Sequence, residues 1–160
     1  MISSKRATFA KLDPKLSRAA RELEEINKFL TDCENLAAAP DRWARTSATA
    51  LGIHNVYNGI EDVMLSLALD VDGSVPVGDA SHQDLLDQMS VAIEGKRPAL
   101  LDQNLLQMLG ELKGFRHIVR HRYGFDLDPT KVQENVERLR KAFPEFVRAV
   151  RELEQALART

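Results

Sequence analysis

Apolar residues in two long stretches of this chain recur at alternating steps of three and four. In the first, Leu16, Ala19, Leu23, Ile26, Leu30, Cys33 and Ala37 keep that rhythm, with Lys15, Arg18, Arg21, Glu22, Glu24, Glu25 and Lys28 between them. In the last, Val132, Val136, Leu139, Phe143, Phe146, Val150, Leu153 and Leu157 do the same. This spacing buries one face of a helix, whereas a half-buried strand needs a period of two. Three further stripes lie between: Ile53, Val56, Ile60, Val63 and Leu67; Leu85, Leu86, Met89 and Ile93; and Leu101, Leu105, Met108, Leu112, Phe115 and Val119. No segment shows the β-branched alternation of a strand. The expected fold is all-α, an antiparallel bundle of four to five helices in one domain over residues 1–160. Most stripe positions are assigned to the domain's own core, since packing of an apolar face is what stabilises most helices. A smaller share is left to cover a dimer partner.

Capping and breaking residues predict the boundaries. Leu12-Asp13-Pro14 reads as a helix start, with Asp13 as N-cap and Pro14 in the first turn, which leaves residues 1–12 as a loose leader. Pro40 ends that helix and Asp41 caps the second, whose early part, Ala44 to Gly52, has a weaker pattern. Gly59 sits inside it at a cost of about 1 kcal/mol relative to Ala, which close helix packing would offset. Asp70 to Ala80 reads as a loop through Asp72-Gly73, Pro76 and Gly78. Ser81 is the expected cap of a short third helix and Gly95 its end. Lys96-Arg97-Pro98 is a connector, and a fourth helix runs from about Ala99 to Gly124. Leu127-Asp128-Pro129 repeats the start signal, and Pro144 is expected to kink or divide the last helix.

Charge narrows the functional classes. The 160 residues carry a net charge of −2, so no global basic field advertises nucleic acid. Polyanion binding must come from a local patch. The single cysteine, Cys33, gives no disulfide framework and falls on a stripe as a small buried group. The first residues lack the apolar run of a signal peptide, and Val63 to Val71 is too short to span a bilayer. A cytoplasmic protein with no membrane partner is expected.

The chemistry is concentrated between Lys113 and Asp128, where Lys113, Arg116, Arg120 and Arg122 surround His117 and His121, followed by Tyr123. Arg116 and Arg120 share one face of a helix, and His117 and His121 share another. Arg116 and His121 lie about 140° apart on a regular helix. They meet in one small pocket only if the helix loosens near Gly124 or a second subunit supplies the other half. A guanidinium grips phosphate oxygens and stays charged. A histidine moves protons near neutrality. Together they supply what cleavage of an RNA phosphodiester needs, with no metal.

Plainer readings stand beside this one. Cations in the last turn complement the helix dipole. His117-x3-His121 has the spacing of a helical metal pair, which Asp126 or Asp128 could complete. However, Ile118 stands where a metalloprotease helix needs Glu, and no metal is expected. Tyr123 could pack on Phe125. His82 reads as a solvated first-turn residue, His54 as a hydrogen-bonded bundle residue, and Trp43 and Tyr57 as packing groups.

Arg116-x4-His121-x-Tyr123 resembles the Arg-x4-6-His motif of the HEPN superfamily with the His-x-Tyr extension of HepT-like toxins. His117 matches the polar residue that follows the arginine there. The run Arg97-Pro98-Ala-Leu-Leu, then Leu105-Leu106, then Gly114 to Phe125, looks like the same region. The resemblance implies a homodimer whose two motifs meet across the interface. It implies a metal-independent endoribonuclease, with tRNA among the suggested substrates, in a type II/VII-like toxin–antitoxin pair. Its partner would be a minimal nucleotidyltransferase antitoxin able to transfer AMP to the motif tyrosine. Carried over by residue, Arg116 stabilises the phosphate, His121 is the general acid or base, His117 and Arg120 support them, and Tyr123 is the adenylylation target. The RNA footprint then falls to Lys113, Arg116, Arg120 and Arg122, with Lys96 and Arg97 as further candidates. Neither a cofactor nor DNA is expected. Two other classes stay open: a non-catalytic HEPN module that binds nucleotide or docks a nucleotidyltransferase, and a structural helical adaptor.

Overall fold

The computed structural model describes residues 2–35 and 41–159. Its elements are α1 (Ile2–Asn35), α2 (Arg42–Leu67), a π turn (Ala68–Asp72), α3 (Ser81–Met89), α4 (Gln103–His121), a 3-10 turn (Gly124–Asp126) and α5 (Pro129–Ala158). The all-α bundle is thus built from five helices. Among the described residues the only β pairing is a single bridge between Ile93 and Arg97. The expected stripe position Ala37 and helix end Pro40 lie outside the described residues.

α2 is the central element, packed against α1, α4 and α5. It runs antiparallel to α1, since Lys11 pairs with Asp70, Lys15 with Asp62, and Glu22 accepts from Asn55. α5 is likewise antiparallel to α1, through Asp13–Arg151 at 2.7 Å and Asn27–Arg140 at 2.8 Å. The stripes line one hydrophobic core from Phe9 to Leu157. Where α1 crosses α2 there is no room for larger side chains. A Cβ on Gly59 would sit 3.0 Å from the Ala19 Cβ, and one on Gly52 would sit 2.6 Å from Ile26 Cγ1. Close packing is therefore what Gly59 provides.

Several boundaries differ from the sequence expectation. Leu12-Asp13-Pro14 does not start α1, and the chain is helical from Ile2 rather than a loose leader. Phe9 and Leu12 extend the three-four stripe backwards and are buried. Burying them stabilises by about 1.5–3 kcal/mol each, enough to offset the roughly 3 kcal/mol penalty of a proline inside a helix. Pro14 and Pro144 both lie on exposed faces, where water can serve the carbonyl that each leaves unpaired, and α5 stays one element across Pro144. Helical structure also continues past Asp70, as the π turn to Asp72. Ser81 is the first residue of α3 and makes no side-chain cap. Ser90 ends that helix, while Gly95 turns the chain inside the Ile93–Arg97 bridge. α4 starts later than expected, at Gln103, because the Asp102 carboxylate caps the Leu105 amide at 2.7 Å. The caps at Asp41 and Asp128 are as expected, accepting from Trp43 N at 3.0 Å and Thr130 N at 2.9 Å.

The largest departure is at Arg97. Its side chain is fully buried, with Nε and Nη2 on the two Asp72 oxygens at 2.6 and 2.8 Å. Its remaining N–H groups reach the carbonyls of Val91, Pro98 and Gln88, each at 3.0 Å. Gln88 adds a bond to Asp72, and the Lys96 ammonium donates to the Asp72 carbonyl. This network fastens the connector before α4 to the end of the π turn. Arg97 is therefore unavailable to RNA: its guanidinium is buried and its donors are taken by Asp72 and three backbone carbonyls.

Candidate active site

The last two turns of α4 are anchored by Leu112 and Phe115, both buried in the core. Arg116 follows directly and is half-buried; its Nε–H donates to Asn58 Oδ1 of α2 at 2.6 Å. Lys113 reaches across to α3, donating to Gln83 Oε1 at 2.5 Å. Arg120 and Arg122 are exposed. None of these four cations has a carboxylate within 4.0 Å among the described residues. The patch therefore keeps its positive charge toward solvent, although the whole chain is slightly acidic.

His117 and His121 stack one turn apart with ring centroids 4.2 Å apart. His121 Nδ1 lies 2.8 Å from the His117 carbonyl oxygen. A carbonyl only accepts, so Nδ1 carries the proton and the neutral ring presents Nε2 as a base. Fixing one ring nitrogen on a backbone oxygen is how a general base is commonly oriented.

α4 stays regular to His121, and the chain then leaves it in extended conformation at Arg122 and Tyr123. Loosening of the helix before His121, one of the two ways to bring Arg116 and His121 together, therefore does not occur. The 3-10 turn seats Gly124 under the start of α2. A Cβ there would lie 2.8 Å from the Trp43 indole Nε1 and closer still to Ser47 Oγ. On either side of this pinned glycine, Tyr123 and Phe125 stack on each other at 5.7 Å, each 74% exposed. Tyr123 does pack on Phe125, but the pair packs outside the core. Trp43 and Leu51, two turns apart on α2, are also more than half exposed.

Opposite α4, one face of α2 carries polar side chains that sequence reasoning did not join to the site. Asn58 bridges Arg116 and His54, its Nδ2 lying 3.2 Å from His54 Nδ1. One turn on, the buried Glu61 carboxylate holds His82 Nδ1 at 2.8 Å, so His82 is a tether between α3 and α2 and not merely solvated. Tyr57 is fully buried, and its hydroxyl has no hydrogen-bond partner among the described residues. Burial first, and the Glu61 charge second, push its phenol above the ordinary value. Burial, assisted by Arg116 and Arg120, holds His54 below its ordinary value against the opposing pull of Asn55 and Glu61. The signal available in the sequence was polar residues at 54, 58 and 61, an i, i+4, i+7 set on a helix otherwise rich in Val and Ile.

The motif lies on open surface. A groove of about 1170 Å³ opens between the starts of α2 and α5, lined by Arg42, Arg45, Arg138 and Lys141 among others, and contains none of the motif residues. Among the described residues, no three His, Cys, Asp or Glu side chains gather as a metal site requires, and no helix is long and apolar enough to cross a membrane.

A family model described as HepT-like protein matches residues 48–157, which take in most of α2 and nearly everything after it, including all the residues around Arg116. Neither a curated protein nor a solved structure matches.

Proposed function

The chain belongs to the HepT-like protein family, and from that premise we propose that it is the endoribonuclease toxin of a toxin–antitoxin pair. One observation carries the reading. An anchored Arg116 with no carboxylate partner among the described residues shares a helix with a histidine, His121, whose Nδ1 is committed to the backbone and whose Nε2 is left as the base. In the proposed reaction a histidine takes the proton of a ribose 2′-hydroxyl. The 2′-oxygen attacks the adjacent phosphorus, forming a 2′,3′-cyclic phosphate, and the P–O5′ bond breaks. A second acid returns a proton to the leaving 5′-oxygen. Arg116 holds the charge that builds on the phosphate oxygens, where preorganised donors contribute most. His117 and Arg120 support the pair, and Lys113 and Arg122 hold the flanking backbone. No metal enters this route.

One chain offers half of such a site, because Arg116 and His121 diverge by about 140° on a regular helix. A homodimer that faces two motifs together supplies both a base and an acid. The exposed rings of Trp43, Tyr123 and Phe125 support such contact beside the motif. Exposure also supports Tyr123 as the target of a nucleotidyltransferase antitoxin. Its Oη attacks the α-phosphorus of ATP, pyrophosphate leaves, and the AMP adds a bulky anion to a cationic site. This chemistry belongs to the cytoplasm, where RNA and ATP are both at hand.

The test is cleavage of total RNA by purified protein in EDTA, with end-group analysis. His121→Ala and Arg116→Ala are expected to lose at least a hundredfold in rate while keeping the helical circular dichroism. Equal cleavage by His121→Ala refutes the mechanism. The open surface around the motif favours one alternative, a non-catalytic module that binds nucleotide or docks the nucleotidyltransferase. Nucleotide binding with no cleavage, by wild type in the same assay, selects it.

A further inference from the structure

We infer that Asn58 is the positioning residue for Arg116, and that His54 determines which way the Asn58 amide faces. The inference rests on the reading of Arg116 as the phosphate-binding group of the proposed reaction. The proton positions follow from which groups can only donate. A guanidinium has no acceptor, so the Asn58 atom 2.6 Å from Arg116 Nε is the amide oxygen. The amide nitrogen then points back along α2 to His54 Nδ1, 3.2 Å away. An amide nitrogen only donates, so Nδ1 must be the acceptor, and the His54 proton sits on Nε2, a buried nitrogen without a hydrogen-bond partner among the described residues; the charged bond at Arg116 outweighs that one unpaired donor. This is the opposite tautomer to His121. A proton on His54 Nδ1 would set N–H against N–H, turn the amide round, and present its NH2 to Arg116.

The relay decides how Arg116 meets a ligand. A guanidinium grips an oxyanion either side-on, through Nε and one terminal nitrogen, or end-on, through both terminal nitrogens. Asn58 occupies Nε, so the end-on fork remains. The terminal nitrogens have no partner among the described residues, and the fork is fixed in direction before any phosphate arrives. The charged groups that reach His54 are Arg116 and Arg120 from α4 and Glu61 from its own helix. Burial and the two arginines keep the ring neutral, which is the state the relay requires.

Nitrogen NMR of the wild-type protein tests the assignment without relying on activity. Expected are a protonated Nε2 and an unprotonated Nδ1 at His54, and a slowly exchanging Arg116 Nε–H. A protonated Nδ1 or a freely exchanging Arg116 Nε–H overturns the relay, whether or not the protein cleaves RNA. Kinetics then test its use. Asn58→Ala is expected to lower kcat about ten- to a hundredfold, with KM changed far less. Asn58→Asp keeps an acceptor for Arg116 and accepts from His54 only through a protonated Nδ1, which the ring supplies by changing tautomer or by gaining a second proton. Its His54 titration should rise, its Nδ1 should become protonated, and it should keep more activity than Asn58→Ala. Wild-type kcat in Asn58→Ala, or an unmoved His54 titration in Asn58→Asp, overturns the proposal. Absence of cleavage by wild type defeats the ribonuclease reading alone and leaves the relay to the NMR result.

Discussion

Arg97→Met is the substitution whose consequence is most directly worked from the structure. It keeps an unbranched stem in the same space and removes the guanidinium, which is wholly buried and makes five hydrogen bonds to Asp72, Val91, Pro98 and Gln88. Asp72 is left as a buried carboxylate with only Gln88 as a side-chain partner. Breaking such a pair from one side costs about 3–5 kcal/mol. For a chain of this size each kcal/mol shifts Tm by about 2–4 °C, so a fall of about 6–20 °C is expected. Asp72→Leu should cost a similar amount, because it strands the arginine. The double change Asp72→Leu with Arg97→Met should cost clearly less than the sum of the singles, since no charge is then stranded. Circular dichroism melts and urea titrations of the four proteins complete the cycle. A Tm loss under about 2 °C for Arg97→Met, or additive effects in the double variant, would refute the clamp. RNA cleavage per folded molecule should be unchanged well below Tm, which separates this arginine from those of the motif.

Two other outcomes follow from groups near the site. Gly124→Ala should destabilise by about 1–3 kcal/mol, the usual range for forcing atoms into filled space; emission from Trp43, the chain's one tryptophan, reports it directly. An unshifted spectrum with an unchanged melt contradicts the packing. Tyr57→Phe should alter stability at pH 7 by less than about 1 kcal/mol, because Glu61, the carboxylate nearest that hydroxyl, keeps its bond to His82 and is not stranded. The folded phenol holds its proton above its ordinary value near 10, so wild-type stability is full below that pH and declines as pH rises past it. The variant should lose this alkaline decline, as pH-dependent urea unfolding would reveal.

The sequence made the helices legible because their stripes are local. Asp41 and Asp128 were legible as caps for the same reason: a cap bonds two or three residues away. Pro14 misled because the local rule for proline competes with the burial of Phe9 and Leu12, and burial won. Arg97 looked like a surface cation because its partner is 25 residues distant and belongs to a turn that looked like a loop. The motif was legible as a pattern, and the divergence of Arg116 from His121 followed from helix periodicity alone. Its anchor was not legible, since Asn58 and Arg116 are 58 residues apart and the polar set at 54, 58 and 61 does not by itself name a partner.

Gly59 and Asn58 are adjacent, and this gives α2 a mechanical role. The contact at Gly59 fixes how deeply α2 seats against α1, with only 3.0 Å between the Ala19 Cβ and any Cβ placed on the glycine. One peptide unit away, Asn58 fixes the reach of the arginine. The helix works as a spacer gauge: a methyl group added on its α1 side is felt as a displacement on its α4 side. A bulkier residue at Ala19, in contact with Gly59 and not with Arg116, is therefore expected to shift where Asn58 holds that arginine.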